Sequence, residues 1–176
     1  MIKYIKFNRE WKGIFDVIII NKITVTRVIL VLLIICTVSF IWSNSLETAE
    51  ESSEMSNTVV EKVKPIVDPK DRIADNIFIM IVRKAAHFAE FALLGSEIYL
   101  FLATFNGIKK NTFVSFITPI LLSFIIAVTD ECLQLTSTGR SCQFSDMMID
   151  LAGIATGVVF ITIIAAIIKR VHTKAK

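Results

Sequence analysis

Arg83, His87, Glu90 and Glu97 are separated by steps of four, three and seven. On a helix of 3.6 residues per turn, those steps return the side chains to one face. The stretch that carries them is otherwise apolar and long enough to cross a bilayer. Charges in hydrocarbon are costly, so such a stripe is expected to face protein, water or a ligand. Arginine offers a planar fork of donors suited to phosphate or carboxylate. Histidine can donate, accept or carry a proton near neutral pH. Two later stretches supply complementary groups: Asp130, Glu131 and Gln134 close one apolar segment, and Arg140, Asp146 and Asp150 border the next. The candidate ligand-binding set is therefore Arg83, His87, Glu90, Asp130, Glu131, Gln134, Arg140, Asp146 and Asp150. The ion pairs it suggests are Arg83–Glu131 and Arg140–Asp130.

Blander roles compete with these. Interfacial anchoring accounts for Arg83 and Lys84, but not for Glu90 and Glu97 on the same stripe. Asp146, Asp150, Gly153 and Gly157 lie four, three and four apart. Gly153-x-x-x-Gly157 is first a packing signal that lets another helix approach closely, and it would press the Asp146/Asp150 face against a neighbouring span. Ser141 or Ser145 is placed to cap that helix, with Asp146 at the positive end of its dipole. One histidine among many carboxylates would suit a hard cation better than zinc, yet no ligand spacing is specific, and no cofactor or metal is expected. There is no phosphate-binding glycine loop, no serine-hydrolase elbow and no Cys/His pair at nucleophile spacing. Cys36, Cys132 and Cys142 are too few for a disulfide scaffold. A Cys132–Cys142 bridge is a matter of geometry.

The chain is 54% hydrophobic over 176 residues, with a mean hydropathy of +0.67. That composition indicates an integral membrane protein. The net charge of +3 gives no support for a nucleic-acid partner. Residues 1–22 read as a basic amphipathic segment, with Trp11, Ile14, Phe15, Ile18 and Ile19 opposed to Lys3, Lys6, Arg9 and Lys12. A four-span domain is expected over 23–168, with spans at about 23–42, 85–105, 113–134 and 147–168. Pro119 is expected to kink the third. Residues 43–76 form an acidic loop, expected to lie on the bilayer, with one short amphipathic turn or helix interrupted by Pro65 and Pro69. A basic tail, 169–176, closes the chain. Twelve basic residues, from Lys3 to Lys176, fall on one side of these spans. That side is cytoplasmic by the positive-inside rule, which puts both termini inside and the acidic loop outside. Arg83, His87, Glu90, Asp130, Glu131, Asp146 and Asp150 then share one level near the outer surface. Glu97 lies about 10 Å deeper than Glu90.

Over roughly residues 41–160 the sequence resembles the VanZ-like family of small bacterial membrane proteins. The resemblance is carried by three motifs in order: Arg83-Lys84-x-x-His87-Phe88-x-Glu90-Phe91-x-x-Leu94-Gly95, then Asp130-Glu131-x-x-Gln134, then Gly139-Arg140 with Asp146, Gly153 and Gly157. Trp42-Ser43 and Ser52-Ser53-x-x-Ser56 are similar to its polar stretch after the first span. The chain departs from the family pattern at Thr138, where the family often has proline, at Asp150, where it usually has asparagine, and at Glu97. The resemblance implies an all-α bundle in the bacterial plasma membrane and a role in glycopeptide tolerance, especially to teicoplanin. It implies no particular chemistry. The first expectation is binding rather than catalysis, with a membrane lipid or lipid-linked wall precursor as partner. The alternatives are an enzyme that hydrolyses or transfers a lipid headgroup, with His87 and Glu90 as acid and base, and a proton-coupled carrier using Glu97. A carrier of four spans would need a homodimer, which Gly153 and Gly157 could support. Gly95 joins those two as a packing residue.

Overall fold

The structure, a computed structural model, describes the backbone of residues 9–109 and 111–174, and the side chains of 22–108 and 111–173. The amphipathic reading of 1–22 rests on side chains outside the described residues. The described chain is helical throughout: α1 (Arg9–Ser45), α2 (Ala49–Val67), α3 (Asp75–Leu102), α4 (Asn106–Lys109), α5 (Thr112–Gln134) and α6 (Phe144–Lys174).

Three segments are long and apolar enough to cross a membrane: Lys22–Ser45 of α1, Thr112–Gln134 of α5 and Phe144–Thr173 of α6. Their outer faces expose large apolar side chains, among them Ile29, Leu32 and Phe40 of α1, Leu121 and Ile125 of α5, and Phe160 and Ile163 of α6. Such surfaces suit hydrocarbon. The fourth long helix, α3, carries Arg83, Lys84, His87, Glu90 and Glu97 and is not among the three. It packs most extensively on α6 and touches α1, α2 and α5 as well, so it is the central element. The apolar core follows from this, with Phe91, Leu94 and Ile98 of α3 against Ile41, Ala127 and Ile154.

Glycine makes the α3–α6 contact close. A Cβ at Gly153 or Gly157 would run into the backbone carbonyl of Phe88 or Ala92, and one at Gly95 would lie 2.8 Å from the Ile154 carbonyl oxygen. The two backbones are therefore nearly in contact over two turns, as small residues permit. At the far end of the bundle Arg27 holds the other end of α3. Its Nε donates to Thr104 Oγ1 at 2.9 Å, and its guanidinium sits 4.0 Å from the Phe105 ring centroid.

The acidic loop differs from expectation. Instead of a short turn it holds α2, a helix of 19 residues that runs through Pro65. Two local causes explain this. Thr48 and Glu51 form a reciprocal capping box at its start. Pro65 falls in the last turn, so the lost bond to the Glu61 carbonyl and the crowding of that carbonyl by the ring come where the helix is already ending. Beyond it, Asp68 accepts the Ile73 amide at 2.7 Å, and Lys64 pairs with Asp71 and Asp75, which folds the chain back into α3.

Candidate functional site

Five elements converge at one end of the bundle: the last turn of α1, the start of α2, the first half of α3, the last turn of α5 and the start of α6. The loop 135–143 ties them together. The Ala49 amide donates to the Thr138 carbonyl at 3.1 Å, and Ser137 Oγ donates to the Ser45 carbonyl at 3.1 Å. Gly139 has φ +78°, a left-handed turn that glycine adopts freely, and it sets Arg140 beside the mouth of the site.

The groups form two layers. The deeper one is a carboxylate layer. Asp130, Glu131 and Asp150 are fully buried. Gln134 Nε2 donates to Glu131 Oε1 at 3.0 Å, and the Gln143 amide donates to Glu131 Oε2 at 3.0 Å. The Ser45 hydroxyl neighbours Asp130. Asp150 lies 3.8 Å from His87 Nδ1, and neither of its oxygens has a hydrogen-bond partner. Buried polar groups are ordinarily satisfied, so an orphaned buried carboxyl marks a place held against its own desolvation.

Above this layer is a cavity of about 320 Å³. Its polar lining is Asn44, Glu47, Ser52, Ser56, Arg83, His87, Glu90 and Arg140. Asn44 Nδ2 donates to Glu90 Oε1 at 3.0 Å. Neither Arg83 nor Arg140 makes an ion pair or hydrogen bond with another side chain among the described residues, and Arg140 Nε is buried without a partner. Burial, and then the like charge of Arg83, push the Arg140 guanidinium below its usual value, opposed by Glu47, Asp130 and Glu131. Even so it stays protonated. A narrow cleft of about 10 Å³ adjoins the cavity between α3 and α6, lined by Arg83, Lys84, His87, Gln134, Asp146 and Asp150. Lys84 pairs with Asp146 across it.

The three sequence motifs thus meet in space, on helix ends held by one glycine-packed pair. The family model for VanZ/LLP1 matches residues 30–165, a range that contains all of these groups. The chain belongs to the VanZ/LLP1 family. No curated protein and no solved structure matches it.

In this VanZ/LLP1 chain the nine candidate residues divide by depth. Arg83, His87, Glu90 and Arg140 line the cavity, Gln134, Asp146 and Asp150 reach the cleft, and Asp130 and Glu131 lie buried beneath. Neither expected ion pair forms. Glu131 is taken by Gln134 and Gln143, and the pair across the helices is Lys84–Asp146. Ser141 and Ser145 do not cap α6. The helix starts at Phe144, and the amides of Asp146 and Met147 bond the Gln143 carbonyl instead. Cys132 and Cys142 are free; Cys142 sits in the loop, where burial, then the charge of Glu131, raise its thiol above the ordinary value. Among the described residues no three His, Cys, Asp or Glu side chains are grouped to hold a metal. Glu97 stands apart. It is buried, accepts from Thr37 Oγ1 at 3.1 Å and leaves Oε2 without a partner.

Sequence reasoning missed Asn44, Glu47 and Gln143, and it treated Lys84 only as an anchor. The uncharged run that ends at Asn44 and Glu47 was a signal for the first two, since polar groups at the exit of a span meet whatever lies there. Gln143 acts through its backbone and gave no signal.

Proposed function

We propose that this VanZ/LLP1 protein binds an anionic headgroup of the bacterial envelope, a membrane lipid or lipid-linked wall precursor, in the cavity between α1, α2 and α3. The observation that carries the reading is that two guanidinium groups, Arg83 and Arg140, line one cavity without an anionic partner of their own. Two adjacent cations repel, and a phosphate or carboxylate offers both the bidentate geometry they favour and the missing charge. His87 and Glu90, on the same face of α3 as Arg83, line the cavity beside it, and the buried carboxylate layer lies beneath them.

In this reading α3 is a fourth span, its charged stripe turned to protein rather than lipid. Both termini are cytoplasmic and the cavity faces outward from the plasma membrane. Covering a wall-precursor headgroup there would hide it from a glycopeptide, so the protein would contribute to tolerance of drugs such as teicoplanin. Native mass spectrometry of the detergent-purified protein tests the binding. An anionic lipid retained by wild type and absent from Arg83→Ala is expected; equal retention by both would sink the reading.

The His87–Asp150 pair favours a second reading. Drawn into a hydrogen bond on ligand binding, the Asp150 carboxylate would orient the imidazole and leave its other nitrogen as a base, so the site would hydrolyse or transfer the bound headgroup. Turnover of a labelled lipid by wild type and not by His87→Gln would support it, and retention of lipid without turnover would leave binding alone.

A further inference from the structure

Building on that anion-binding reading, we infer that the ligand carries a hydrocarbon chain and enters the cavity sideways from the bilayer, between α1 and the amphipathic helix α2.

The cavity is not polar all round. Beside Arg83, His87 and Arg140, the same lining includes Phe40, Met55, Val59, Val82 and Ala86. Phe40 belongs to the spanning part of α1, five residues before its end, or about 7.5 Å along the axis. Its side chain is 58% exposed, so at that depth it meets lipid, and a cavity it borders opens on lipid.

Helix α2 makes the same point independently. Its buried positions, Ser52, Ser56 and Val60, follow one another at steps of four, and two of the three are hydroxyls. Its exposed positions include Met55 at 50%, Val59 at 45% and Ile66 at 80%, on a second stripe that also holds the exposed Lys62, whose long stem can carry its charge to the headgroup level. A surface helix in water turns its apolar stripe inward. Here the apolar stripe turns outward, which is stable where the outside is apolar. Helix α2 therefore lies in the membrane interface as the outer wall of the cavity.

A free phosphate or a chainless carboxylate would occupy only the polar half of this space. An anionic amphiphile fits both halves, with its charge between Arg83 and Arg140 and its first methylenes against Phe40, Met55 and Val59. The rest of the chain remains in the bilayer. The volume of about 320 Å³ suits a headgroup and a few methylenes rather than a whole lipid.

The test compares two probes by native mass spectrometry of the full chain: dioleoyl phosphatidic acid, and glycerol 3-phosphate as the chainless control. Dioleoyl phosphatidic acid should be retained at least about tenfold better, because each buried methylene adds affinity. Val59→Gln, a neutral change at an exposed position, should remove roughly that factor for the lipid and leave glycerol 3-phosphate unchanged. Arg83→Ala should lower both. Should Val59→Gln fail to fold, Met55→Gln on the same stripe serves in its place. Equal retention of the two probes, or full lipid retention by Val59→Gln with loss in Arg83→Ala, overturns sideways entry and leaves the anion site standing. Retention of neither probe overturns both.

Discussion

Replacing Gly157 by alanine tests the contact on which the site depends. A Cβ there would lie 2.8 Å from the Ala92 carbonyl carbon and 2.8 Å from Ser96 Oγ, and closer still to the Ala92 carbonyl oxygen. Ordinary contact begins at 3.4 Å, so these atoms must withdraw by about 0.6 Å or more. Ser96 cannot simply swing aside, because its hydroxyl already donates to the Ala92 carbonyl at 2.8 Å. The Ala92 atoms are helix backbone, so α3 and α6 must part. Overpacking of this kind costs about 1–3 kcal/mol. For a chain of this length each kcal/mol moves Tm by roughly 2–4 °C. Gly107→Ala is the reference, since it changes helix propensity in the same direction and its Cβ meets nothing within 4 Å. Thermal unfolding in detergent, followed by circular dichroism, should place Gly157→Ala roughly 2–12 °C below Gly107→Ala. Lipid retention should fall with it, because the same helix pair carries Lys84–Asp146 and His87–Asp150. Equal melting of the two variants would refute the close approach of α3 and α6.

Lys84→Met and Asp146→Asn should each destabilise by about 1–3 kcal/mol, with the double variant costing less than their sum; additivity in a denaturation cycle would show that the pair does not interact. Thr37→Val should cost about 1 kcal/mol by removing the one donor to Glu97, whereas in a Glu97→Gln background the same change should cost less; identical costs would mean that the bond is not formed. Asp68 supplies a pH dependence: the backbone amides of Ile73 and Arg72 hold its carboxyl below the ordinary 3.8. A depressed carboxyl stabilises above its unfolded value and loses that contribution as pH falls through the folded one. Protection of the Ile73 amide in hydrogen exchange should therefore persist at pH 3.8 and disappear below it, and Asp68→Asn should remove it at every pH.

The candidate site was legible to the extent that it is periodic. The Arg83–His87–Glu90–Glu97 stripe and the Asp146–Asp150–Gly153–Gly157 stripe both follow the helical repeat, and a helix converts that repeat directly into a shared face. The long uncharged runs likewise announced helices able to cross a membrane, because hydrocarbon demands internal satisfaction of every backbone group. Loop 43–76 was harder to read. Pro65 argued for an interruption, but the cap at Thr48 and Glu51 and the placement of Pro65 in a last turn allowed α2 to form. The sequence also could not show that Ser52 and Ser56 of α2 would turn inward while Met55 and Val59 stay exposed, since that depends on what lies on each side.

What the sequence alone determined was which residues share a helix face and which ends of the helices carry charge. These are local properties, set by backbone geometry within a few residues. Tertiary structure decided the pairings: Lys84 with Asp146, His87 beside Asp150, Asn44 on Glu90, and Arg83 and Arg140 left together without an ion-pair partner. Each of these depends on the rotation and depth of one helix against another. Glycine backbones in contact set that geometry to within an ångström, a precision that residue spacing along one helix does not carry.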